Sequence, residues 1–139
     1  MEISLVRKRL TETIERARKQ AAARRARSEE AAREFDVFLQ KIAAPLMRQL
    51  ANALKADGYA FTVFTPADSV RLMSDRSADD YIELALDPSA DTPQVSARIS
   101  RTRGRRVIDA ERPVGAPAAV SEEQLLDFLL RELEAFVER

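Results

Sequence analysis

Histidine and cysteine are both absent from the 139 residues of this chain. Without them the chain lacks the commonest general base, the usual zinc ligands and every Ser-His or Cys-His nucleophile pair. The absence of cysteine also excludes disulfides, which is compatible with a reducing compartment. We therefore expect a protein that is not an enzyme and that carries no cofactor and no bound metal.

Glycine is scarce, and long hydrophobic runs are missing. The three glycines fit neither GxGxxG nor GxxxxGK[ST], so no phosphate-binding loop is expected. No segment approaches the roughly 18 apolar residues of a spanning helix, and MEISLVRKRL has no signal-peptide features. With 45% hydrophobic and 33% charged residues, the sequence predicts a soluble cytoplasmic protein.

The first 44 residues contain no glycine or proline and are filled with strong helix formers. Apolar or small residues recur there every seven positions in two rows, as in the core of a coiled coil, and Arg24 interrupts the pattern in the middle. One row is Ile3, Leu10, Ala17, Arg24, Ala31 and Phe38, and the other is Ile14, Ala21, Ser28, Phe35 and Ile42. The pattern predicts a long helix that is kinked at Pro45 or replaced there by a second helix. We predict a helical extension over 1–44 and a compact α+β domain over 45–139.

From Tyr59 to Arg112 the apolar period falls to about two residues, which indicates strands. Five segments fit: YAFTVFT, SVRLMS, DYIELALD, QVSARISRTR and RRVIDAE. The connections TPAD, DRSA, PSADTP and RG are short and rich in turn residues, which favours an antiparallel meander.

The last hairpin suggests a register. A turn at Arg103-Gly104 sets Arg98 opposite Asp109 and keeps apolar residues together on the other face. A turn at Gly104-Arg105 would set two arginines opposite each other. We therefore predict the Arg103-Gly104 turn.

The C-terminal segment predicts a helix after the linker PVGAPAAV. SEEQ is a capping box, in which Ser121 accepts a hydrogen bond from the backbone of Gln124. The apolar face that follows consists of Leu125, Phe128, Leu129, Leu133, Phe136 and Val137. We expect this helix to pack on the sheet, which completes an α+β fold.

Charge is divided unevenly along the chain, although its net charge is zero. Residues 1–33 carry ten Arg or Lys against five Glu, a net charge of +5, which leaves −5 for residues 34–139. Two arginine groups are candidate partner-binding sites, because each guanidinium presents a planar fork of donors. They are Arg18, Arg24, Arg25 and Arg27 in the helix, and Arg98, Arg101, Arg103, Arg105 and Arg106 in the hairpin. The hairpin arginines are also explained as charges that protect a sheet edge from aggregation.

Four carboxylates lie close together in sequence around the third strand: Asp75, Asp79, Asp80 and Glu83. Their spacing matches no EF-hand loop, and aspartates at strand ends commonly satisfy turn backbone instead. We favour the turn interpretation over a catalytic metal site.

These features predict a non-catalytic protein-interaction or adaptor module that docks a protein partner with its helix and its Arg-rich hairpin. Homodimerisation is expected through the helix, because one small domain cannot cover all of its large apolar side chains. The self-association residues are Ile3, Leu10, Ile14, Phe35 and Phe38. The alternative is a nucleic-acid-binding accessory protein whose helix and 98–106 hairpin contact phosphates. No membrane partner is expected.

Overall fold

A helical segment of more than fifty residues opens the structure, a computed structural model that describes residues 1–89 and 92–138. It comprises α1 (Ile3–Phe38), a π-helical turn (Leu39–Ala43) and α2 (Ala44–Ala56). The long helix that the absence of glycine and proline predicts is confirmed. It ends at Gly58, whose φ of +91° lies in the left-handed region that glycine adopts without strain.

The helical path continues through Pro45, which lies in the first turn of α2. A proline inside a helix crowds the carbonyl four residues earlier, and the π-helical turn lies at this point. Phe38 and Met47 are nine residues apart, so a regular α-helix would place them on opposite sides. The extra residue of the π turn rotates both toward the core, where they are 2% and 0% exposed.

Five antiparallel strands follow in the spatial order β1-β2-β3-β4-β5, which confirms the predicted meander. They are β1 (Phe61–Phe64), β2 (Ser69–Ser74), β3 (Tyr81–Asp87), β4 (Gln94–Arg103) and β5 (Arg106–Gly115). Part of the predicted PSADTP connection, residues 90–91, lies outside the described residues.

The predicted register of the last hairpin is wrong by two residues. Arg103 pairs with Arg106, so the turn is Gly104-Arg105, and Arg98 lies opposite Glu111 rather than Asp109. Gly104 has a φ of +65°, as the first central residue of a II′ turn requires. Arg98 still reaches Asp109 on the diagonal, with 3.8 Å between Nη2 and Oδ2. The conformational preference of the turn therefore outweighs the repulsion between two exposed arginines.

The last helix, α3 (Glu122–Val137), begins at the predicted capping box. The backbone N–H of Gln124 donates to the Ser121 hydroxyl at 3.1 Å, and the Ser121 N–H donates to the Gln124 side chain at 3.0 Å. The buried side of α3 consists of Leu125, Leu129, Leu133 and Phe136. Phe136 meets Phe61 of β1 edge to face, with ring centroids 6.1 Å apart.

One hydrophobic core lies between the helices and one face of the sheet. The sheet contributes residues such as Val70, Leu72, Ile82 and Leu84, each at most 1% exposed. Strand β5 takes little part in this core, because most of its residues are exposed on both faces.

Helix α1 enters the same core with its last two turns. Ala31, Phe35 and Phe38 are 7%, 4% and 2% exposed, and the two phenylalanine rings stack with centroids 6.0 Å apart. Residues 31–44, which the sequence assigned to the extension, therefore pack with the domain. Phe35 and Phe38, predicted as self-association residues, belong to the core of their own chain.

Candidate functional site

The N-terminal part of α1 projects from the rest of the molecule. Every residue from 3 to 30 is exposed except Ala21, which is half-buried, and we call residues 3–30 the arm. At about 1.5 Å per residue the arm is roughly 42 Å long. None of the helices described is long and apolar enough to cross a membrane.

An apolar stripe runs along one side of the arm. It contains Ile3, Val6, Leu10, Ile14, Ala17 and Ala21, which recur at helical spacings of three and four. Ile3 is 72% exposed, Leu10 56% and Ile14 41%. The same side of the helix continues into the buried Ala31 and Phe35, so the stripe reaches the edge of the core. Of the five predicted self-association residues, these three remain available to a partner.

The arginines of the arm are concentrated around this stripe. At 3.6 residues per turn, four arginines lie on the stripe or directly beside it, and three of the four helical glutamates of the arm lie on the far side. The arginines are Arg7, Arg18, Arg24 and Arg25, and the glutamates are Glu12, Glu15 and Glu30. Arg27 and Glu29 lie on opposite flanks of the helix, each about a quarter turn from the stripe. A molecule that covers the stripe therefore meets mainly positive charge.

An ion pair marks the point where the arm reaches the domain. Arg33 donates to the Glu30 carboxylate over 2.6 Å. This hydrogen bond and the positive charge of Arg33 lower the pKa of Glu30, and the same bond and the negative charge of Glu30 raise the pKa of Arg33. Both groups are well exposed, so the pair contributes little to stability.

The five hairpin arginines do not form one cluster. Arg98 lies on the sheet face opposite the helices, where Glu111 is its cross-strand neighbour. Arg101 and Arg103 lie on the helix side, where Arg106 pairs with Arg103, and Arg105 lies in the turn. The candidate site predicted at this hairpin is thus divided between two faces of the sheet.

A cleft of about 710 Å³ opens between the hairpin and the end of α3. Arg101 and Arg103 line it from the sheet, and Arg131, Glu134 and Glu138 line it from the helix. Arg131 is not identifiable as a site residue from the sequence, because its only signal is its place on the exposed side of α3. Because both signs of charge are present, the cleft is not a dedicated anion site.

The sheet face away from the helices is internally charge-compensated. Across the strands it carries the row Arg71, Glu83, Arg98 and Glu111, with alternating signs. The Arg71 Nε donates to Glu83 over 3.0 Å, and its guanidinium lies 4.0 Å from the centre of the Tyr81 ring. These contacts account for the charges without a ligand.

The four carboxylates around β3 make separate contacts. Thr62 donates to Asp75 at 2.6 Å, Arg71 contacts Glu83, and the Thr102 backbone N–H donates to Asp80 at 2.6 Å. Asp79 is exposed. Across residues 1–89 and 92–138, no group of three or more acidic side chains is arranged to hold a metal ion.

No known family model, curated protein or solved structure matches this chain.

Proposed function

We propose that this chain is a non-catalytic protein-interaction module of the cytoplasm, homodimeric through its N-terminal helix. The observation that carries the proposal is the arm, which presents an apolar stripe from Ile3 to Ala21 whose residues are all exposed except the half-buried Ala21. Isolated helices are marginally stable in water, and most helical stability in proteins comes from packing an apolar side. An adaptor role needs such a docking surface and no reactive group.

We expect the full chain to be a dimer and a chain that starts at Ser28 to be a monomer. Light scattering coupled to size exclusion measures both masses against 15.6 kDa for one chain. The truncation keeps Ala31, Phe35 and Phe38, and it leaves Ser28 as an N-cap before Glu29 and Glu30.

Thermal unfolding followed by circular dichroism provides the control, because the truncated chain should still unfold cooperatively. A full chain that runs as a monomer at both low and moderate salt would contradict the homodimer.

Nucleic-acid binding is the second candidate function. The observation that favours it is the row of arginines on one side of the arm, which resembles a phosphate-binding surface. Two features argue against nucleic-acid binding. The centre of the arginine-bearing side of the arm is apolar, and the arm has no aromatic side chain on which bases could stack.

If the second candidate is correct, fluorescence anisotropy with labelled DNA or RNA should show binding at low salt. Affinity would then fall by about 10³-fold or more between 50 and 200 mM salt if six or more phosphates are contacted. Undetectable binding at low salt would exclude this candidate.

A further inference from the structure

The charges around the stripe disfavour the pairing of two arms. A parallel pair in register brings Arg7 against Arg7 and Arg24 against Arg24. An antiparallel pair that overlaps along the whole arm brings Arg7 of one chain beside Arg25 of the other. No glutamate lies near the stripe to compensate either arrangement. The arm is better matched by an apolar surface edged with carboxylates.

The exposed side of α3 has this composition. Leu130 is 48% exposed, although it lies on an otherwise amphipathic helix, and Leu126 and Val137 lie partly exposed on the same side. Beside this apolar strip, at helical spacings of three, four and seven, lie four exposed carboxylates. They are Glu123, Asp127, Glu134 and Glu138, and the exposed Arg131 is the one positive charge among them.

The two surfaces also match in length. Helix α3 has 16 residues, which span about 24 Å, and the segment from Leu10 to Arg27 of the arm spans roughly 26 Å. They do not meet within one chain, since the arm is exposed throughout and the carboxylate side of α3 faces away from the core.

We propose that the arm of one copy lies along the exposed side of α3 of a second copy, and that the second arm does the same in return. The inference rests on the proposed homodimer and identifies the surface that the arm contacts. A two-fold axis relates the two contacts, so each copy contributes its arm to one contact and its α3 to the other. No arm and no α3 is left unpaired, and the assembly closes at two chains. Each contact places the +5 arm segment on a domain of charge −5.

Charge reversal in two variants tests this arrangement. The first is Arg18→Glu with Arg25→Glu in the arm, and the second is Asp127→Arg with Glu134→Arg in α3. Each variant alone should lose the dimer at concentrations where the original chain is dimeric, because like charges then face each other at both contacts.

An equimolar mixture of the two variants should restore the dimer. In the mixed dimer, the reversed arm meets the reversed α3, and the unchanged arm of the other chain meets an unchanged α3. Light scattering coupled to size exclusion measures the mass of each sample. A tag on one variant allows co-purification to show that the restored species contains both.

The matched control is Lys8→Glu with Lys19→Glu, which makes the same change in net charge on the side of the arm away from the stripe. This control should remain a dimer, and circular dichroism should show unchanged helix content in all variants. If reversal in α3 leaves the dimer intact while removal of residues 1–27 abolishes it, the arm pairs elsewhere. The proposed function would then stand and this inference would be overturned. A monomeric original chain would overturn both.

Discussion

Replacement of Phe38 by alanine should lower the free energy of unfolding by about 3–5 kcal/mol, the usual cost of removing a buried phenylalanine. Phe38 is 2% exposed and packs in the core beside Phe35. Its loss removes apolar contact and leaves a cavity that a well-packed core closes only in part. Chemical denaturation of the chain that starts at Ser28 measures the effect without a contribution from the arm.

The neighbouring residue Val37 provides the control, because it lies in the same helical turn and is 51% exposed. Val37→Ala should change the free energy of unfolding by less than about 0.5 kcal/mol. If Phe38→Ala instead left stability unchanged and dissociated the full-length dimer, Phe38 would be an association residue, as the seven-residue pattern predicts.

Replacement of Asp80 by alanine should destabilise the domain by about 2–3 kcal/mol. The side chain is 4% exposed, and its Oδ1 accepts a hydrogen bond from the Thr102 backbone N–H at 2.6 Å. This bond ties the start of β3 to the far end of β4. Bonds to a charged acceptor are stronger than neutral ones, and the substitution leaves the Thr102 donor without this acceptor.

Two further substitutions test whether Asp80 stabilises the domain through its hydrogen bond with Thr102. Asp79→Ala changes an exposed neighbour and should have little effect, while Asp80→Asn keeps an acceptor oxygen and should cost less than alanine. Thermal unfolding with and without Mg²⁺ or Ca²⁺ tests the metal interpretation. A melting temperature raised by the cation in the original chain and not in Asp80→Asn would assign Asp80 to a metal site instead.

Local chemistry made much of the fold predictable. The absence of glycine and proline before residue 45 identifies the long helix, and Ser121 with Gln124 identifies the start of α3. Alternation of apolar and polar residues identifies the five strands. These signals act between residues a few positions apart, so they are present in the sequence before any tertiary contact forms.

The candidate site was less predictable, because it depends on which residues share a surface. Arg98 and Arg101 are close in sequence, yet an odd spacing along a strand places them on opposite faces. Arg131 joins the cleft from a helix that follows much later in the chain. The arm arginines are exposed, and their side of the helix matters because the domain leaves the stripe uncovered.

The sequence by itself determined the type and order of the elements and the apolar side of each helix. The apolar pattern did not determine the hairpin register, because a shift of two residues leaves every side chain on the same face; the local preference of Gly104 for a positive φ selects the turn that the structure shows. The tertiary structure alone decided that Phe35 and Phe38 are core residues while Ile3, Leu10 and Ile14 stay exposed. All five share one seven-residue pattern, and only the distance over which the domain reaches along α1 separates the buried residues from the exposed ones.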